Sequence, residues 1–135
     1  MIELFVTDTH PIVWALSNDS QLSPRAKATF AEADAGQSII IIPPIVVIEM
    51  IYLNEKGRIP THLVDDLLAK VSTPGLSYRL GELNSSVIAA LRQIPRHSIP
   101  EMPDRIIAAT AKADGLGLIT RNGAITTSGQ VSIIW

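Results

Sequence analysis

Ser38-Ile39-Ile40-Ile41-Ile42 is the segment that most restricts the fold of this chain: four β-branched residues in succession, stopped by Pro43-Pro44. A strand with one solvated face alternates apolar and polar residues, whereas a run without alternation belongs to a parallel strand covered on both faces. Parallel strands are joined by crossovers, usually helical, so strands and helices should alternate along the rest of the chain. Ile2 to Thr7, Leu76 to Leu80, Leu116 to Thr120 and Val131 to Trp135 read as the other strands. Ser23-Pro24 places an N-cap and a first-turn proline before a helix over Arg25 to Ala33. Further helices are predicted over Ile45 to Glu55, Thr61 to Val71, Asn84 to Ile94 and Asp104 to Ala113, the last two separated by a proline-rich loop from Pro95 to Pro103. The expectation is an α/β fold, one domain over residues 1–135, with a parallel sheet and helices on both faces. In such sheets polar ligands bind at the carboxyl ends of the strands, where strand order reverses.

Composition removes several classes of function. There is no cysteine, so disulfides, thiolate zinc sites and a cysteine nucleophile are excluded. The formal charge of -2 lacks the polybasic signature of phosphate-driven nucleic-acid binding, although residues 1–78 carry 5 Lys+Arg against 9 Asp+Glu and residues 79–135 carry 6 against 4. The greasiest stretch, Ile39 to Ile48, is interrupted by two prolines and is far below the ~20 apolar residues of a membrane helix. The N-terminal MIELFVTDTH has a glutamate at position 3 and no basic leader, unlike a secretory signal, so a cytoplasmic location is expected.

Three carboxylates fall where a ligand site should form. Asp8 follows the first strand in Asp8-Thr9-His10-Pro11, where it also suits a turn or the N-cap of a helix beginning near Pro11. Glu49 sits in Ile45-Val46-Val47-Ile48-Glu49-Met50-Ile51 with no Lys or Arg three or four positions away. Such a carboxylate either faces solvent or is buried and must be paired, protonated or metal-bound. Asp104 opens a helix in Pro103-Asp104-Arg105-Ile106-Ile107, where an acid also complements the helix dipole. Each has an ordinary structural explanation alone. Together they can converge on one sheet edge, and their mutual repulsion calls for a hard divalent cation, Mg²⁺ or Mn²⁺. His10, before a proline at a helix start, is expected to be packed and hydrogen-bonded rather than a general base.

Four segments, in order, carry a resemblance. Val6-Thr7-Asp8-Thr9-His10, the Ile48-Glu49 helix followed by Glu55-Lys56-Gly57-Arg58-Ile59, Pro103-Asp104-Arg105-Ile106-Ile107-Ala108-Ala109-Thr110-Ala111, and Leu118-Ile119-Thr120-Arg121 resemble the PIN-domain ribonucleases, in particular VapC-type toxins. The resemblance implies a three-layer α/β/α sandwich, Mg²⁺- or Mn²⁺-dependent cleavage of RNA, a VapB-type antitoxin as partner and a homodimer. It matches Asp8, Glu49 and Asp104 to the family's first three acidic positions. Asp8, Glu49 and Asp104 are then expected to share the metal, Asp8 and Asp104 as direct or water-bridged ligands and Glu49 also orienting or deprotonating the water, with Asn122 as an outer-shell contact. Thr9 and Thr120 are expected to donate hydrogen bonds to the acids or the phosphate, and Arg105, Arg121 and Lys112 to grip RNA, although a solvated helix face explains Lys112 equally well.

One position departs from the pattern: relatives usually carry an aspartate two residues beyond Thr120, and here Asn122 stands there, in Thr120-Arg121-Asn122-Gly123. An amide oxygen can coordinate Mg²⁺ or hold its water but contributes no charge. Asn-Gly is equally an ordinary turn. A second reading is therefore a catalytically weakened PIN-like module that binds RNA or a partner without cutting. An aspartyl-phosphate phosphatase is disfavoured, because His10 stands where its second aspartate would be. With six aromatic residues and no stacking motif, nothing identifies the RNA target.

Overall fold

The computed structural model describes residues 2–135. The isoleucine run is strand β2 (Ser38–Ile42), paired on both edges, with β1 (Glu3–Thr7) and with β3 (Tyr78–Leu80). On the far side of β1 lie β4 (Gly117–Ile119) and then β5 (Ile133–Ile134), completing an all-parallel sheet of order β3-β2-β1-β4-β5. Ile40 and Ile42 point to one face and are fully buried; Ile39 and Ile41 point to the other and are buried and half-buried. The unbroken apolar run thus has the cause the sequence suggested, cover on both faces.

Among the described residues that cover comes from seven helices: α1 (Thr9–Ser17), α2 (Pro24–Asp34), α3 (Pro44–Glu55), α4 (Thr61–Ser72), α5 (Ser85–Gln93), α6 (Met102–Asp114) and α7 (Gly123–Ser128). The chain moves from β1 to β3 in one direction across the sheet and from β3 to β5 in the other. Right-handed crossovers then place α1 to α4 on one face and α5 to α7 on the opposite face. Contacts agree: α1 packs on α2, α3 and α4, while α6 packs on α5 and α7. The result is the expected three-layer α/β/α sandwich. Strand order reverses at β1, so the carboxyl ends of β1 and β4 are neighbours, joined by the Asp8 N–H donating to the Ile119 carbonyl at 2.9 Å.

Local signals act as expected at two caps. Ser23 Oγ accepts from the Ala26 N–H and Asn84 Oδ1 from the Val87 N–H, each at 3.1 Å. Some boundaries differ. α3 starts at Pro44, because proline lacks only an N–H that a first turn leaves unused anyway. α6 starts at Met102, which places Asp104 inside its first turn. β3, β4 and β5 are three, three and two residues long, shorter than predicted. The Asn122-Gly123 turn instead starts a helix, α7. Among the described residues no helix is long and apolar enough to cross a membrane.

Candidate functional site

Asp8 is the first residue beyond β1 and the N-cap of α1. Its Oδ1 accepts the Thr9 N–H and its Oδ2 accepts the Thr120 hydroxyl, both at 2.7 Å. Thr120 follows β4, so the adjacent ends of two strands hold one carboxylate, which is buried. Capping and membership of a site are not alternatives here, because the cap bond uses one oxygen. The buried Thr120 hydroxyl also accepts the Asn122 N–H at 3.0 Å, which sets the turn out of β4.

Glu49 lies in the second turn of α3, and its Oε1 accepts the Thr9 hydroxyl at 2.6 Å. It is half-buried rather than enclosed. Its apolar sequence neighbours have another cause: Ile48, Ile51 and Tyr52 are exposed, so α3 turns a hydrophobic face to solvent. Asp104, from the first turn of α6, accepts a hydrogen bond from Asn122 Nδ2 at 3.1 Å. The amide oxygen of Asn122 is used elsewhere, accepting the Ile125 N–H at 3.0 Å as the N-cap of α7. Asn122 is thus no simple turn residue: it touches the acidic group through Asp104, with its nitrogen, a donor, rather than its oxygen.

The electrostatics follow from this convergence. Burial, then the negative charges of Asp8 and Glu49, push the Asp104 carboxyl up to about 6; the Asn122 hydrogen bond opposes the shift and Glu101 adds to it weakly. Asp8, Glu49, Asp104 and Asn122 line one cleft of about 340 Å³ with Thr9, His10, Trp14 and Arg121. It is smaller than a hollow of about 500 Å³, lined by residues including Ile12, Phe30 and Tyr78, that contains none of these four.

The basic residues divide. Arg121 lines the acidic cleft, its guanidinium 4.4 Å from the centre of the Trp14 ring and its Nη2 donating to Gln21 Oε1 at 3.3 Å. Arg105 does not fit the expectation of an RNA contact. Its Nε and Nη2 donate to the carbonyls of Leu91 and Ile94 at 2.9 to 3.2 Å, tying α6 to the C-terminal end of α5. Lys112 donates to Gln130 at 3.0 Å. His10 also departs from expectation: it is exposed, its ring 5.6 Å from that of Trp14. Sequence reasoning gave His10 and Trp14 no role in the site, although their spacing of four residues puts them on one face of α1.

Three converging carboxylates with hydroxyl and amide supports are the oxygen-rich chemistry a hard divalent cation takes. Among the described residues, no group of three His, Cys, Asp or Glu side chains is already set to hold a metal ion. The donors therefore fit Mg²⁺ or Mn²⁺ in kind, while their closure around it requires side-chain movement.

Comparison with known proteins agrees with this architecture. No curated protein matches the sequence significantly. Solved structures with the same fold include VapBC2 from Rickettsia felis bound to a DNA fragment from their promoter (TM-score 0.71, 18% identity, 96% of each chain covered). DNA-bound VapBC from Salmonella typhimurium matches at TM-score 0.69 and 20% identity, over 98% of this chain and 97% of that one. FitAcB from Neisseria gonorrhoeae matches at TM-score 0.62 and 20% identity, over 97% and 96%. The PIN domain family matches residues 5–126, which spans every element from β1 into α7. The chain belongs to the PIN domain family.

Proposed function

We propose that this chain is a Mg²⁺- or Mn²⁺-dependent endoribonuclease, the toxin of a VapBC-type toxin-antitoxin pair. The observation that carries the proposal is the convergence of Asp8, Glu49 and Asp104 on one cleft where strand order reverses. PIN domains are generally nucleases. The VapBC complexes among its structural neighbours favour a VapB-type antitoxin as partner and a cytoplasmic setting. The exposed Ile48, Ile51 and Tyr52 of α3 suit a homodimer or antitoxin contact.

Asp8 and Asp104 are assigned to hold the cation, with Glu49 beside them. When bound, the cation supplies charge neutralisation at the phosphate and lowers the pKa of a water. The remaining steps belong to the chain. Thr120 and the Thr9 N–H fix the Asp8 carboxylate, so it does not reorganise during reaction. The Thr9 hydroxyl holds Glu49 Oε1, leaving Oε2 to accept the proton of the water that attacks phosphorus in line with the departing oxygen. Arg121, braced on Trp14, is placed to contact the phosphate. Asn122 holds Asp104 in place of the usual fourth acid.

The second reading, a module that binds without cutting, is favoured by one observation: Asn122 brings no charge and its oxygen caps α7. One assay separates the two. Protein freed of any partner should cut structured RNA with Mg²⁺ or Mn²⁺, stop with chelator, and lose activity in Asp8→Asn and Asp104→Asn. Equal cleavage by those variants, or none by the parent at any metal concentration, refutes the ribonuclease assignment.

A further inference from the structure

A larger hollow, of about 660 Å³, adjoins the acidic cleft, and His10 and Trp14 line both. Its floor is apolar: Val13 and Leu63 are buried, Leu53 and Ile59 half-buried. Its rim is polar, with His10, Arg58 and His62 all exposed. Among the described residues the one ion pair joins Lys70 and Asp34, so the Arg58 guanidinium is not engaged by a carboxylate. Asp19, the acid on the same rim, accepts the Gln21 N–H at 2.9 Å.

We infer that this hollow binds a nucleotide of the RNA strand next to the cleaved bond, its base over the apolar floor and its phosphate on Arg58, with His62 beside it. The inference rests on the ribonuclease reading above and adds a substrate site to it. Three considerations support RNA as the occupant. The acidic cleft contains three carboxylates against one cation, Arg121, so a polyanion crossing it needs cationic contacts just outside, and Arg58 stands there. The hollow falls in the roughly 300–1,000 Å³ range of small-ligand sites, sufficient for one nucleotide. The imidazoles of His10 and His62 offer planar faces for base stacking, the usual way a protein grips unpaired RNA. An extended protein segment with apolar side chains is the competing occupant, and continuity with the acids favours RNA.

The test is fluorescence anisotropy of a labelled single-stranded RNA octamer, in chelator so that nothing is cut. Arg58→Ala should weaken binding about fivefold to tenfold near 50 mM salt and reduce the slope of log K against log salt by about 0.7, one phosphate contact. Arg58→Lys should retain the slope, and Arg58→Ala/His62→Ala should bind more weakly still. Photo-crosslinking of 5-iodouridine RNA should label His10, Leu53 or His62. Unchanged affinity and slope in both Arg58→Ala and Arg58→Glu overturn the inference and assign the hollow to another occupant, a protein segment foremost. That failure is separate from failure of the ribonuclease reading, which is judged by cleavage in Asp8→Asn and Asp104→Asn.

Discussion

Replacing Asn122 by aspartate restores the acid that relatives usually carry, and its first effect precedes any cation. Asn122 Oδ1 caps α7 while Nδ2 donates to Asp104 Oδ2 at 3.1 Å. An aspartate keeps the cap acceptor but turns the donor into a second carboxylate oxygen facing Asp104. Two unit charges with centres about 4 Å apart repel by about 4 kcal/mol at an effective dielectric of about 20. Solvent at this half-exposed site reduces that figure by about half or more. At about 1.4 kcal/mol per pKa unit, the new pair holds a proton roughly one to two units more tightly than Asp104 alone, which already stands at about 6. Mg²⁺ must then displace a proton near neutral pH. Well above that range the cleft carries four negative charges instead of three, and Mg²⁺ affinity should rise about tenfold, or about 1.4 kcal/mol. Near pH 6 the gain should vanish or reverse. Calorimetric Mg²⁺ titration of parent and Asn122→Asp protein at about pH 6 and pH 8.5, in low and high salt, measures both effects. Equal dissociation constants for the two proteins at the higher pH in low salt refute the reasoning, because the substituted carboxylate would then not face the cation.

Three further outcomes follow from named contacts. In the metal-free protein Asp104 titrates at about 6 against an ordinary 3.8, so the folded state gains a proton in that interval. This contribution is fully present below about pH 4 and lost as pH rises through about 6, by at most about 3 kcal/mol and less after solvent screening. Thermal unfolding in chelator, compared with Asp104→Asn, should show Tm of the parent falling relative to the variant over that range, and added Mg²⁺ should restore it. Thr120→Val keeps the shape but removes the hydroxyl shared by Asp8 and Asn122; about 1–3 kcal/mol of stability should be lost with cleavage, and Thr120→Ser should recover both. Arg105→Ala frees the Leu91 and Ile94 carbonyls and should cost about 2 kcal/mol in denaturant unfolding while leaving KM for RNA unchanged, since its donors serve α5.

Much of the fold was legible because burial on both faces of a parallel sheet imposes a pattern that a single strand displays. Ile39 to Ile42 announced the sheet class, and Ser23-Pro24 and Asn84 announced helix starts through caps that depend on adjacent residues only. Asp8 was placed by the same logic, since a residue following β1 must stand at the carboxyl edge. The double use of Asn122 was not legible, because Asn-Gly opens turns and short helices alike, and only the Ile125 N–H decides between them. Arg105 was misread through proximity: it neighbours Asp104 in sequence, yet its guanidinium serves the end of α5. Consecutive helix positions do not face the same way. His10, Arg58 and His62 were given no shared role, because what unites them is the junction of α1 with the α3–α4 connection, a tertiary fact.

The claim on which the account depends is that Asp8, Glu49 and Asp104 serve one cation. Crystals soaked in Mn²⁺ and measured for anomalous scattering test it directly. The account predicts a peak in the cleft within about 2.0–2.2 Å of an oxygen of Asp8 or Asp104, with Glu49 reaching it directly or through one water, and its loss in Asp8→Asn. Manganese bound only elsewhere, or carboxylates that stay more than about 10 Å apart at saturating Mn²⁺, contradicts it, because neither direct bonds nor a bridging water spans that distance.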